Sequence, residues 1–131
     1  MSLPYDANYF PPAPVLTVKL AYPGEALQIG PFTAIADTGS DASLAPTPYL
    51  EELGVPISYS ARVRLLFGPA RRVNVYRVDV IVGAYHLPAM EVVGDDEGAE
   101  IILGRNILNR LILLLDGPRA ETDVLDRRPK L

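Results

Sequence analysis

The sequence AIADTGSD at residues 34–41 carries most of the information about the fold. An apolar run leads directly into a carboxylate, Asp37, and the next three residues are a threonine, a glycine and a serine. Glycine allows a close approach of the backbone, and hydroxyl groups can hold a carboxylate in one orientation. The pattern therefore indicates a buried strand that ends in a loop presenting one carboxylate. Asp-Thr-Gly is also an ordinary turn sequence, so the rest of the chain has to decide between these two interpretations.

The residues around this loop predict a mainly β chain with closely spaced turns. Apolar and polar residues alternate over residues 15–21, which is typical of a strand. A second apolar run over residues 26–36 contains Gly30-Pro31, where we expect an interruption because proline lacks the amide donor. Further strands are predicted at residues 62–67, 72–82, 85–93, 100–103, 111–115 and 122–125, and short helices at residues 47–53 and 105–109.

The sequence IILGRNIL at residues 101–108 is a second distinctive stretch, in which apolar residues are followed by Gly-Arg-Asn. In order and approximate spacing, the two stretches resemble the two signatures of the retropepsins. This is the aspartic protease family of retroviruses, retrotransposons and related bacterial proteins. The turn at residues 68–71 falls between the two stretches, where that family has the hairpin, or flap, that covers the substrate.

The resemblance implies a mainly β, closed retropepsin-like acid-protease barrel with one short C-terminal helix, assembled as a homodimer. We assign residues 15–126 to this domain. Residues 1–14 contain four prolines and are predicted to form an extended N-terminal arm, because proline lacks the amide donor that helices and sheets need. Residues 127–131 are predicted to be a polar tail.

The resemblance also implies a role for each residue of the first signature. Asp37 is the catalytic carboxylate, Thr38 joins two such loops across a dimer axis, and Gly39 offers its carbonyl oxygen to the substrate. Ser40 is expected to hydrogen-bond the ionised carboxylate of Asp37. Asp41 matches the position that contacts the main chain of the substrate.

The second signature is expected to support this loop. Arg105 matches the family position that pairs with Asp41, so we predict an ion pair between them close to the cleft. The alternative is a surface arginine with no fixed partner. Gly104 is expected to let the helix pack closely beneath the loop, and Asn106 to be a polar support. A turn glycine and a helix cap are the corresponding structural interpretations.

The flap is expected to bind the substrate through Gly68, Pro69 and Ala70. Its proline departs from the glycine-rich tip of the viral enzymes and would stiffen the hairpin. Leu111 to Leu115 is expected to be either core or part of the inter-subunit sheet, since retropepsin-like dimers join terminal strands across the axis. The segment at residues 122–125 could replace or extend that joint.

The chemistry of peptide hydrolysis gives a separate reason to expect two subunits. Without a metal or a covalent intermediate, one carboxylate must activate water while a carboxylic acid polarises the carbonyl group, so two carboxyls share one proton. The 131-residue chain contains one Asp-Thr-Gly and is too short for a second lobe. A two-fold homodimer supplies the second Asp37, because both subunits contribute the same surface.

Composition limits the other classes of function. The net charge of −4 argues against nucleic acid as a partner, and the absence of cysteine excludes thiolate chemistry. No signal peptide or apolar span is recognisable, so we expect no membrane association and a cytoplasmic location. The single histidine, His86, is assigned no role. The acidic residues at 95–97 and Glu100 lack calcium-loop spacing, so we expect a solvated turn and neither a metal nor a cofactor.

Three hypotheses follow from the sequence. The first is an aspartic endopeptidase that binds an extended peptide or protein substrate and hydrolyses it with water activated by two Asp37 carboxylates. The second is a catalytically silent dimeric module of the same fold, which binds or assembles proteins without turnover. The third is a carboxylate-dependent hydrolase of another fold that shares only the Asp-Thr-Gly turn.

Overall fold

The computed structural model describes residues 2–64 and 68–130. Within these ranges the chain forms ten strands and two short helices. The first half contains β1 (Ser2–Pro4), β2 (Val15–Ala21), β3 (Gln28–Ala36), β4 (Leu44–Pro46), α1 (Thr47–Leu53) and β5 (Ile57–Val63). The second half contains β6 (Arg71–Val82), β7 (Tyr85–Asp95), β8 (Ile101–Leu103), α2 (Arg105–Leu108), β9 (Ile112–Asp116) and β10 (Glu121–Leu125).

Six of the strands close into a barrel. Their order is β2-β3-β8-β4-β7-β6, and β6 returns to pair with β2. β6 pairs with two strands along the same edge, because it is long. Its first half pairs with β5 and its last residues pair with β2. The prediction of a mainly β, closed barrel is therefore confirmed. β5 and the start of β6 form a hairpin that extends from the barrel at the position predicted for the flap.

Alternating apolar residues fill the barrel, as the sequence pattern predicted for β2. Leu16, Val18 and Leu20 are all at most 1% exposed. On β6, Val80 pairs with Leu20 and Val82 pairs with Val18, and both valines are fully buried. Each such side chain contributes roughly 1.5–3 kcal/mol relative to exposure. This shared core fixes the register of β2 against β6, since a shift of one residue would turn every apolar side chain outward.

The predicted interruption at Gly30-Pro31 is wrong, because β3 runs through both residues. The pairing shifts from Phe32 opposite Val18 to Ile29 opposite Leu20, so Gly30 and Pro31 together face one residue of β2. This is a β-bulge, where the missing amide donor of proline costs no ladder hydrogen bond. Gly30 has a φ of +113°, which a side chain would rarely adopt.

A smaller sheet lies outside the barrel, with the strand order β1-β10-β9. β1 belongs to the segment predicted as an arm, and its three residues pair with β10. The N-terminal segment makes a second contact with the rest of the chain, in which the Tyr9 hydroxyl donates to the Glu100 carboxylate at 2.7 Å. Neither helix in the described part of the chain has the length and apolarity needed to cross a membrane.

Candidate active site

The two signature stretches lie side by side in the barrel. β3 and β8 are parallel neighbours, with Ala34 opposite Ile101 and Ala36 opposite Leu103. Parallel strands that end together place their following residues at the same edge of the sheet. Asp37 and Gly104 are those following residues. The fold thus brings together two segments that are separated by more than sixty residues in the sequence.

The loop after β3 holds Asp37 in a defined position. The Asp37 amide donates to the Leu103 carbonyl oxygen at 2.9 Å, which ties the loop to β8. The Gly39 amide donates to Asp37 Oδ1 at 2.9 Å, and the Ser40 amide donates to the Asp37 carbonyl oxygen at 3.2 Å. The side chain is half-buried and faces a cavity. The Gly39 amide therefore helps to orient the carboxylate, while the other two bonds fix the main chain of Asp37.

The predicted hydrogen bond from the Ser40 hydroxyl to Asp37 is wrong. Ser40 Oγ instead donates to the Ala42 carbonyl oxygen at 2.6 Å, closing a short turn two residues further on. The Gly39 amide takes the place beside the carboxylate that the sequence assigned to the hydroxyl. Thr38 is exposed, and its predicted partner across a dimer axis stays a prediction.

The predicted ion pair between Asp41 and Arg105 is also wrong. Arg105 Nη1 donates to the Thr38 carbonyl oxygen at 2.8 Å, and its backbone amide donates to the Ser40 carbonyl oxygen at 2.8 Å. Arg105 thus holds the loop that carries Asp37 through the carbonyl groups of Thr38 and Ser40. Asp41 is exposed and lines the cavity, where it remains available to a ligand.

Gly104 is packed directly against the loop. A Cβ atom built on it would lie 2.2 Å from the Ala42 carbonyl oxygen and 2.8 Å from the Ser40 carbonyl oxygen. Real Cβ contacts are essentially never this short, so no other residue fits without a shift. The close approach predicted for this glycine is present, and the neighbouring atoms belong to the backbone of the loop.

Ser43 is a buried connector that the sequence analysis missed. Its hydroxyl accepts from the Gly104 amide at 2.8 Å and donates to Asn106 Oδ1 at 2.6 Å. Asn106 Nδ2 in turn donates to the Glu91 carbonyl oxygen on β7 at 2.9 Å. Ser43 is only 1% exposed, so these bonds are shielded from water. In the sequence, the sign of this role was a serine placed between two apolar residues, Ala42 and Leu44, where a buried hydroxyl needs a partner.

Asp37 opens into a cavity of about 560 Å³. Its lining includes the loop with Asp37 and Asp41, residues 63–64 at the end of β5, the start of β6 at residues 71–74, and residues 93–97 at the end of β7. The described flap residues Gly68, Pro69 and Ala70 are exposed and lie outside this lining, so their contacts with substrate stay a prediction. The predicted strand end at residues 65–67 lies outside the described residues.

Comparison with solved structures identifies this architecture. A retropepsin-like aspartic protease from Rickettsia conorii superposes with a TM-score of 0.68 and 12% identity, covering 95% of this chain and 88% of that one. The retroviral protease-like domain of Ddi1 from Leishmania major superposes with a TM-score of 0.52 and 17% identity, covering 87% and 90%. The chain has a retropepsin-like fold. No family model and no curated protein sequence matches it.

The retropepsin-like fold removes one of the three hypotheses. The hypothesis of a hydrolase of another fold that shares only the Asp-Thr-Gly turn is wrong, because 95% and 87% of the chain, and not one turn, align with the two structures. At 12% and 17% identity the likeness establishes the fold, while the activity has to be argued from the site.

The acidic residues beside the cavity are engaged in local bonds. Asp95 Oδ1 accepts from the Glu97 and Gly98 amides at 3.0 and 2.9 Å, and Asp96 accepts from the Thr47 hydroxyl at 2.6 Å. Glu97 pairs with Arg71 on the hairpin at 3.1 Å, where both side chains are more than half exposed. In the part of the chain that the structure describes, no three metal-ligating side chains converge.

His86 contacts the one buried carboxylate of the described core, Asp79, away from the cavity. Asp79 is 2% exposed and accepts from His86 Nε2 at 2.8 Å, from the Ala89 amide at 2.8 Å and from the Gly24 amide at 3.1 Å. Burial raises the pKa of this carboxyl, but the bonds from Ala89, His86 and Gly24 outweigh burial and lower the pKa overall. The group stabilises the bulge between β6 and β7 in the retropepsin-like barrel.

Proposed function

We propose that this chain is one subunit of a homodimeric aspartic endopeptidase of the retroviral type. The observation that carries the proposal is the setting of Asp37, a half-buried carboxylate on a backbone-fixed loop that faces a cavity of about 560 Å³. Gly104 packs against the backbone of this loop, and Arg105 donates a hydrogen bond to it. Such fixing is what a catalytic carboxylate needs, since misplacement by about 1 Å can cost about 100-fold in rate.

The dimer supplies the second carboxyl that the reaction requires. The sequence contains one Asp-Thr-Gly, and a two-fold axis beside the loop brings the same group from a second copy. Two carboxyls at hydrogen-bonding distance cannot both ionise easily, so one stays protonated and the other becomes the base. Thr38 is exposed beside Asp37 and would be free to meet the same loop of a second copy.

Hydrolysis then proceeds in two proton-balanced steps. The ionised Asp37 takes a proton from water as the water oxygen attacks the carbonyl carbon, and the partner subunit's Asp37 gives its proton to the carbonyl oxygen. The product of this step is a tetrahedral gem-diol. In the second step the first carboxyl protonates the amide nitrogen, the second removes a proton from the diol, and the C–N bond breaks. Both carboxyls return to their starting states.

An extended peptide is the substrate that suits this cleft. The cavity runs between the start of β6 and the end of β7, so a strand-like segment can lie along the hairpin and offer backbone groups to it. Apolar side chains such as Leu44, Val63 and Val73 share the lining with the charged residues. The cleft can therefore contact apolar parts of the substrate's side chains and the polar groups of the substrate's main chain.

A peptide-library cleavage assay tests the proposal. The native chain and the Asp37→Asn variant are compared at acidic and neutral pH, with Asp6→Asn as the matched control. Asp6 lies outside the cavity, and within the described part of the chain its side chain accepts only the Asn8 amide, which an asparagine side chain can also do. We expect cleavage by the native chain and the control, and a loss of at least about 1,000-fold for Asp37→Asn. Cleavage that survives this substitution would refute the mechanism.

A silent protein-binding module of the same fold is the second candidate. It is favoured by the described flap residues Gly68 to Ala70, which are exposed and make no part of the cavity wall. The same assay separates the candidates, because this module would retain peptides from the library without cutting them. Retention that is equal for native protein and Asp37→Asn, with no product from either, would favour binding alone.

A further inference from the structure

The hairpin formed by β5 and β6 carries a concentration of positive charge. Four of the ten arginines of the chain lie near its turn, and all four are exposed: Arg62, Arg64, Arg71 and Arg72. We call these four residues the arginine patch. The chain as a whole has a net charge of −4, so the patch runs against the overall balance. A cluster of one sign beside a cleft attracts ligands of the opposite sign.

Two of these arginines lie directly opposite each other. Arg62 on β5 and Arg72 on β6 are cross-strand neighbours in the antiparallel pair. Such neighbours project from the same face with their Cβ atoms roughly 5 Å apart, and like charges there destabilise a hairpin. Neither side chain forms an ion pair within residues 2–64 and 68–130. An anion placed between the two guanidinium groups would remove this repulsion.

A carboxylate already binds at one side of the arginine patch. Arg71 Nη2 lies 3.1 Å from Glu97 Oε1, which reaches the hairpin from the segment after β7. Arg71 is therefore occupied, whereas Arg64 and Arg72 have no such partner in the described part of the chain. Both of them line the same cavity as Asp37. A cation in this cavity wall is thus available to a ligand in the cleft.

The barrel side of the cavity is acidic, and this contrast favours a peptide over other anions. Asp37 and Asp41 line the barrel side, and Arg72 lines the hairpin side. An extended peptide between them directs alternate side chains to the two sides. An acidic side chain directed at the hairpin meets Arg72, with the barrel carboxylates on the far side of the peptide. A nucleic acid carries charge along its whole backbone, so Asp37 and Asp41 would repel it.

We propose that Arg72, with Arg62 opposite it, binds an acidic side chain of the peptide substrate. Planar guanidinium groups match a carboxylate in geometry and donate paired hydrogen bonds to it. The preferred substrates are then peptides with aspartate or glutamate at the position whose side chain faces the hairpin. Arg72 determines specificity and takes no part in bond cleavage. The inference rests on one part of the proposed function, namely that a peptide lies in the cavity beside Asp37.

Peptide binding to the Asp37→Asn protein tests this assignment without requiring cleavage. The probe is an array of decapeptides of otherwise randomised sequence, in which Glu, Gln or Lys is fixed at each position in turn. At low salt we expect one position where Glu binds about tenfold more tightly than Gln, and Lys more weakly than Gln. Adding Arg72→Gln should remove this preference, and adding Arg72→Glu should shift it toward Lys. Arg128→Gln in the exposed tail is the matched control and should keep it.

Urea unfolding of the same proteins covers the case in which a variant is damaged. Arg72→Gln removes the repulsion with Arg62, so its unfolding midpoint should equal or exceed that of Asp37→Asn alone. A lower midpoint would overturn the argument from the opposed arginines.

The binding assay has several outcomes that would overturn the anion site. A Glu preference that is absent at every position would do so, as would one that survives Arg72→Gln. Tight binding of a single-stranded RNA of about 20 nucleotides that requires Arg72 would assign the arginine patch to nucleic acid instead.

This inference and the proposed function can fail separately. A Glu preference in binding, with no cleavage by the native chain, would refute the protease and leave the anion site standing. Cleavage by the native chain with no Glu preference would refute the anion site alone.

Discussion

Replacing Gly104 with alanine pushes a methyl group into the backbone that carries the candidate catalytic loop. The new Cβ would lie 2.2 Å from the Ala42 oxygen, 2.6 Å from the Ala42 carbonyl carbon and 2.8 Å from the Ser40 oxygen. Such contacts are essentially never below 3.0 Å, so the loop must retreat by about 1 Å. Gly104 has a φ of −89°, which alanine adopts freely. Any loss of stability in Gly104→Ala therefore comes from the steric contact and not from backbone strain.

The expected cost follows from that displacement. Overpacking of this kind typically destabilises by about 1–3 kcal/mol, and we expect about 2 kcal/mol for Gly104→Ala. The atoms that move belong to the loop holding Asp37, so the same shift should lower kcat about 100-fold if the chain is a protease. Loss of rate should therefore exceed what partial unfolding explains at the assay temperature.

Urea unfolding and peptide cleavage measure the two effects on the same preparations. Gly117→Ala is the matched control, because a Cβ there meets nothing within 4 Å. It should stay within about 0.5 kcal/mol of native stability. A Gly104→Ala protein with native stability would refute the packing argument. Native turnover in a destabilised Gly104→Ala protein would instead refute the link from this contact to the position of Asp37.

Three further predictions concern buried polar groups. Ser43→Ala should lose about 1–3 kcal/mol in urea unfolding, because it leaves the Gly104 amide and Asn106 Oδ1 without their buried partner. Thr122→Val should be neutral or more stable by up to about 1 kcal/mol, since the fully buried Thr122 hydroxyl has no hydrogen-bond partner among residues 2–64 and 68–130; a clear loss of stability would contradict this. The lowered pKa of Asp79 means that its stabilisation is present above the ordinary aspartate pKa of 3.8 and is lost as the pH falls through its folded value. The stability difference between native protein and Asp79→Asn should therefore shrink in acid below about pH 4, and a difference that is constant from neutral pH to pH 2 would contradict the role of the carboxylate.

Much of the barrel could be predicted from local pattern. Alternation over β2 identified its buried face, and Gly54, in the left-handed conformation with a φ of +75°, ends α1 as expected. The bulge at Gly30-Pro31 could not be distinguished from a strand break, because both place glycine and proline between apolar runs. Only the pairing with β2 decides whether the chain continues, and that pairing is a tertiary contact.

For the site, the sequence by itself determined which groups are present. The local pattern placed Asp37 on a loop after a buried strand, and the resemblance to the retropepsins led us to expect close packing at Gly104. The tertiary structure alone decided which donor meets which acceptor. Ser40 and Arg105 form hydrogen bonds with partners other than those predicted. The bonds of Ser43 were not predicted at all. A hydrogen bond depends on a few tenths of an ångström between segments that are far apart in sequence, and only the packed barrel sets that distance.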